Sequence, residues 1–312
     1  MFHRPAIHIL LTAAALAGAT TAFAQSPIGF LERPSLTLDS PQLSDRDVSD
    51  LLTTLDALLA ETREPAMRTT ATERHLSDFV RQLQRGRLAP AQEQRIVRHL
   101  DAIAVARPAD REAIVGAKRV VTTLLPGKVA PDIVGPDLDG TSLKLSDYRG
   151  KVVVLLFGAE WCGICRTLNP YERLMQDLYR NWPFSILSVE TGSSPAVMKQ
   201  KKTEESLTYR SWWDARSETG GRGKIAQAWN VAGYPSIYVL DGRGVIRFVD
   251  LRYEDLLKAV RQLVNEGDLD ERAEGKGQRA EAGKREEAGK KEEVRKRDEG
   301  GQREEVRSPS TL

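Results

Sequence analysis

Only two of the 312 residues are cysteine, and they stand three apart as Cys162 and Cys165. A Cys-x-x-Cys bridge closes a loop too short to restrain the unfolded chain much, so a structural staple explains the pair poorly. Histidine is nearly as scarce. A structural zinc needs about four ligands, and beyond the leader the chain has only His75 and His99, both far from the thiols in sequence. Covalent haem attachment needs a histidine directly after the second cysteine, where Arg166 stands instead. Charge of one sign is lacking too: the formal net charge is +2, which argues against nucleic acid, whose binders need a net basic face. No cofactor is called for, and redox chemistry is the role left to the pair.

Long apolar runs are also missing. The longest lies from Ala6 to about Ala19, behind Arg4, and ends at Ala22-Phe23-Ala24. That order of charge, short apolar run and small-residue cleavage site is the layout of a signal peptide over 1–24. It falls short of the roughly 20 residues a spanning helix needs. The expected product is an exported, periplasmic or otherwise extracytoplasmic chain with no integral membrane segment after signal removal. An uncleaved N-terminal anchor is the alternative.

A linker over 25–43 leads to four amphipathic patterns that place a small all-helical module at 44–126. Ser44 with Asp47 resembles a capping box. Val48, Leu51, Leu52, Leu55, Leu58 and Leu59 then share one helical face. Leu76, Phe79, Val80 and Leu83 form a second stripe. Ile96, Val97, Leu100 and Ile103 form a third, between Pro90 and Pro108. Ile114, Ala117, Val120, Val121, Leu124 and Leu125 form the fourth. The narrow stripes suit helices packed on each other. No catalytic constellation is visible there, and a partner-binding surface is the second reading.

From 127 to 267 the texture is α/β. Asp139-Gly140 between short apolar segments signals a hairpin. Lys151–Phe157 reads as a central strand buried on both faces. A helix is expected from just after Cys162 to about Tyr179, a strand at Phe184–Val189 and a helix at Pro195–Leu207. A short helix at Ile225–Trp229, strands at Ser236–Leu240 and Val245–Val249, and a helix at Tyr253–Glu266 complete a mixed sheet flanked by helices. Residues 268–312 hold 13 acidic and 12 basic residues with four bulky apolar groups. They read as a disordered, charged low-complexity tail, or as a weak electrostatic contact surface.

Cys162 falls where the loop after the central strand enters the following helix. Exposed N–H groups and the helix dipole there favour an anion, so a thiolate is stabilised below its free pKa of about 8.5. Cys162 is then the nucleophile. Cys165, about one turn inward, resolves a mixed disulfide by attacking the sulfur of Cys162.

The neighbourhood of this pair resembles the thioredoxin superfamily, in particular exported TlpA/ResA-like disulfide reductases. The likeness runs over roughly Lys128–Glu266. It rests on Gly150-Lys-Val-Val-Val, Gly158-Ala-Glu-Trp-Cys-Gly-Ile-Cys-Arg166, Pro170, and Gly233-Tyr-Pro-Ser236 ahead of Tyr238-Val-Leu-Asp-Gly-Arg-Gly. It implies a thioredoxin fold with an added N-terminal β-hairpin and a cis Tyr234–Pro235 bond facing the cysteines. The main chain of Tyr234 would then pair with an extended partner segment. Trp161, Gly163, Ile164, Tyr234 and Pro235 would border a bound disulfide, with Trp161 a partly exposed wall. Trp182, Trp212, Trp213 and Trp229 are expected to be core or rim residues rather than site residues. The implied partners are disulfide-bearing exported proteins and a membrane or periplasmic electron donor. Two positions depart from the family: where it keeps buried carboxylates, this chain has Leu156 and Leu168. Proton transfer is left to water or to Glu160, expected to be solvated. The competing readings are a thioredoxin-fold scaffold without redox turnover and a peroxiredoxin-like peroxidase, whose Pro-x-x-x-Thr-x-x-Cys setting is absent before Cys162.

Overall fold

The computed structural model describes residues 41–61, 68–216 and 222–267. The leader, most of the linker and the charged tail lie outside the described residues.

The four apolar stripes become helices α1 (Asp45–Glu61), α2 (Arg68–Leu83), α3 (Pro90–Ala106) and α4 (Arg111–Thr123). The capping box forms as read. Asp47 N–H donates to Ser44 Oγ at 3.1 Å, and Asp47 Oδ2 accepts from Ser44 N–H at 2.8 Å. A 3₁₀ turn at Pro108–Asp110 separates α3 from α4, because Pro108 brings no N–H to continue the ladder.

Strands β1 (Val134–Pro136) and β2 (Ser142–Lys144) form the antiparallel hairpin. Asp137 closes it by accepting from the N–H groups of Asp139 and Thr141 at 2.9 Å each. The main sheet contains β3 (Val152–Ala159), β4 (Phe184–Thr191), β5 (Ser211–Trp213), β6 (Ser236–Leu240) and β7 (Ile246–Val249). Its order is β5-β4-β3-β6-β7, with β4 and β5 parallel to their neighbours and β6 and β7 antiparallel. Helices α5 (Gly163–Arg166), α6 (Asn169–Leu178), α7 (Pro195–Glu204) and α8 (Lys224–Ala228) alternate with the strands, and α9 follows over residues 253–267.

Two expectations change. The helix expected from Cys162 to Tyr179 is broken into α5 and α6 at Pro170, where the family resemblance implies a kink, since Pro170 cannot donate to the carbonyl of Arg166. Strand β5 was not legible in the sequence. It forms because Ser211–Trp213 lies alongside Ser188–Glu190, and because the buried Trp212 Nε1 donates to Leu143 O at 3.1 Å, tying the hairpin to the sheet.

Every residue of β3 is buried, and its alternation divides the interior. Val152, Val154 and Leu156 pack with Leu168 and Met175 of the α6 region and with Leu256, Val260 and Leu263 of α9. Val153, Leu155 and Phe157 join a core that continues into Leu55, Phe79, Leu100, Val121 and Leu125 of the helical bundle. Phe157, Trp229 and Tyr238 form an aromatic cluster at that junction, with ring centroids 5.0–6.0 Å apart. Among the described residues no helix is long and apolar enough to cross a membrane.

Candidate active site

Cys162 and Cys165 lie just past the end of β3 and are joined as a disulfide. Cys162 caps α5, and its Sγ accepts from the Cys165 N–H at 3.1 Å. Because α5 is a single turn, the field at the sulfur comes from that local N–H rather than from the dipole of a long helix. In this oxidised state Cys162 is buried, at 6% exposure, whereas Cys165 is half-buried. The expected gradient of an outer Cys162 and an inner Cys165 is therefore not expressed in whole-residue exposure.

The Tyr234–Pro235 bond is cis. Trp161 (55% exposed) stacks edge-on against Tyr234 at 5.8 Å, and Ile164 is 65% exposed. Gly163 sits between them, with open space around it apart from the Arg166 guanidinium. Pro235 and Cys165 line one small cavity.

That cavity contains what the sequence reading missed. Leu156 and Leu168 are in the core, as apolar residues at those positions must be. The carboxylates come from elsewhere: Glu172 on α6 and Glu190 on β4 line the same cavity as Cys165, together with Glu160, Glu205 and Tyr209. Its volume is about 40 Å³, more than the roughly 10–15 Å³ that one water needs. Glu172 accepts from Tyr209 Oη at 2.8 Å. Lys202 Nζ stands 3.5 Å above the Tyr209 ring and donates to Ser211 Oγ, which lies 2.7 Å from Ser188 Oγ.

Burial disfavours charge on each of these groups. It raises the Glu172 carboxyl to about 7, against the donation from Tyr209 and with the help of the Glu190 charge. Glu190 is also raised by burial, with Lys202 pulling the other way. Burial lowers Lys202 to about 8, opposed by both glutamates. The Tyr209 hydroxyl is pushed well above its ordinary range, first by burial and then by the two carboxylates.

Glu160 is also buried, at 8% exposure, which corrects the expectation that it is solvated. Its Oε1 accepts from Ser193 Oγ, while Oε2 has no hydrogen-bond partner. Two glycines make the room. A Cβ on Gly192 would lie 2.6 Å from the Glu160 side chain, and one on Gly158 would lie 2.8 Å from Glu190 Oε2.

A family model described as the AhpC/TSA family matches residues 126–249. The thiol–disulfide oxidoreductase ResA of Geobacillus kaustophilus is 30% identical over 126 residues, which is 40% of this chain and 69% of that protein. The thioredoxin-like protein YneN of Bacillus subtilis is 32% identical over 121 residues, covering 39% and 68%. Among solved structures, the thioredoxin domain of a thiol–disulfide oxidoreductase from Bacteroides vulgatus is 28% identical. That alignment covers 46% of this chain and 99% of the domain, with a TM-score of 0.42.

Proposed function

The chain belongs to the ResA-like thiol–disulfide oxidoreductases of the thioredoxin fold, and on that premise we propose that Cys162 and Cys165 reduce disulfides of exported proteins. The observation that carries this reading is the placing of the pair. Cys162 takes a main-chain N–H on its sulfur at a one-turn helix, and Cys165 opens inward onto buried carboxylates.

In the dithiol state the Cys162 thiolate attacks one sulfur of the partner's disulfide. A mixed disulfide forms, and the released partner thiolate takes up a proton. Cys165 then gives up its proton and attacks Cys162 Sγ, which breaks the mixed bond and frees the second partner thiol. Two electrons pass to the partner, leaving the Cys162–Cys165 disulfide. A thiol or membrane-held donor of two electrons must restore the dithiol. Glu172 and Glu190 supply the base for Cys165. Both share its cavity, there is room for a bridging water, and a carboxyl near pH 7 matches a proton exchanged at that pH. Trp161, Ile164, Tyr234 and Pro235 flank the reacting sulfurs and hold the partner, and Gly163 leaves them an open approach. The signal-like order of residues 1–24 supports action outside the cytoplasm.

The test is turnover of a protein disulfide by the chain without residues 1–24. Cys162→Ser should abolish it, and Cys165→Ser should accumulate a mixed disulfide through Cys162. Turnover that survives Cys162→Ser, or no adduct with Cys165→Ser while Cys162 remains reactive, would overturn the assignment. A potential near about −270 mV fits a reductase, and one near about −120 mV a disulfide donor. The AhpC/TSA match makes hydrogen peroxide the second substrate to assay. A chain that cycles with neither is a scaffold.

A further inference from the structure

A groove of about 760 Å³ lies between the helical bundle and the sheet, lined by neither cysteine and reaching the Tyr234–Pro235 loop. This volume falls within the range of roughly 300–1,000 Å³ typical of ligand sites. One wall is a single face of α2 with Ser77, Val80 and Arg81 at helical spacing, continued by Gln84 in the turn that follows. The opposite wall is Asp250–Arg252 with Asp255 and Lys258 of α9, and Tyr238 and Phe248 lie in the floor. Gln84 Nε2 reaches Tyr238 Oη at 3.4 Å, so the bundle and the sheet are in contact beneath the groove.

Two features identify what fits. First, the loop edge is main chain. Ala232 and Gly233 are exposed, and among the described residues no acceptor is found for the N–H groups of Ala232, Gly233 and Tyr234. Unpaired amides at an exposed edge suit an extended polypeptide, which can pair with those of them that point its way by adding a strand. Second, the lining is cationic. Arg81, Arg85, Arg252 and Lys258 face Asp250 and Asp255. Asp250 is occupied within the protein, accepting from the Ile237 N–H at 3.1 Å and from Arg252 at 3.4 Å. Arg81 and Lys258, on opposite walls, are each more than half exposed and hold only exposed ion pairs on their own helices, to Asp78 at 3.0 Å and to Asp255 at 3.2 Å, which an incoming carboxylate can share or displace.

Resting on the disulfide-exchange reading, we propose that this groove binds an extended, acidic segment of the partner polypeptide next to its reacting cysteine. The helical bundle thereby takes part in selecting the substrate. The segment pairs with the main chain at Ala232–Tyr234 and directs its carboxylates at Arg81 and Lys258.

The test uses the oxidised full chain and two labelled extended peptides without cysteine, identical except that one carries glutamates where the other carries lysines. Fluorescence anisotropy should show the acidic peptide binding at least about fivefold more tightly, as the sum of several exposed ion pairs. Raising the salt should shrink that ratio. Arg81→Glu with Lys258→Glu should abolish or reverse it. The neutral pair Arg81→Gln with Lys258→Gln should reduce it without reversing it, and circular dichroism checks that each variant is folded. Equal affinity of the wild type for both peptides, or a preference untouched in the folded double glutamate variant, would overturn the groove. Turnover of a small aromatic disulfide by the reduced wild type is measured in parallel. Its absence, with the acidic preference intact, would sink the exchange reading and leave the groove standing.

Discussion

Glu172 and Glu190 enter the interior by different routes. Glu172 stands four residues after Leu168 and three before Met175, so it shares their helical face and is carried inward with them. Glu190 follows the alternation of β4 across Gly158, where the missing Cβ leaves room. The stability of the fold should record the first of these. The unfolded carboxyl ionises near 4.5, whereas in the fold its pKa is raised to about 7. Below pH 4.5 both states are protonated and there is no penalty. Between 4.5 and 7 the unfolded state alone loses its proton, so a penalty builds and then levels off above 7. Glu172→Gln retains an acceptor for Tyr209 and removes that penalty. It should be more stable than the wild type at pH 8 by up to about 3 kcal/mol, with the gain gone at pH 4.5. Urea unfolding at the two pH values measures this, and an equal difference at both would exclude a raised carboxyl.

At the scale of elements, the capping of α1 offers the simplest check. Ser44 and Asp47 satisfy each other's main chain, so Ser44→Ala should cost about 1 kcal/mol. The melting temperature should fall by about 2–4 °C for a chain of this size; no fall would mean the box is frayed in solution. Most elements were legible in the sequence because periodicity and punctuation agreed, as in α1, α3, the hairpin, β3 and β6. The exceptions share a cause. Strand β5 is three residues long with adjacent tryptophans, and only its position beside β4 makes it a strand. The α5–α6 break depends on how one proline is accommodated. The cysteines, the cis-proline loop and Trp161 were visible as local patterns. The Glu172–Glu190–Lys202–Tyr209 cluster was not, since its members are scattered over four segments and only the fold brings them together.

The whole molecule shares one interior between bundle and sheet. Leu124 and Leu125 at the end of α4 belong to the same core as Phe157, Tyr238 and Ile246. We therefore expect calorimetry to show a single unfolding transition, with calorimetric and van't Hoff enthalpies equal. A chain starting at residue 127 should bind hydrophobic dyes strongly, because that face of the sheet is uncovered. Two resolved transitions, or a well-behaved 127–267 fragment, would show the bundle to be an independent domain.

Pro235 borders both the groove and the smaller cavity. One residue thus belongs at once to the proposed recognition surface and to the cluster of ionisable groups beside Cys165, so whatever displaces its loop alters both.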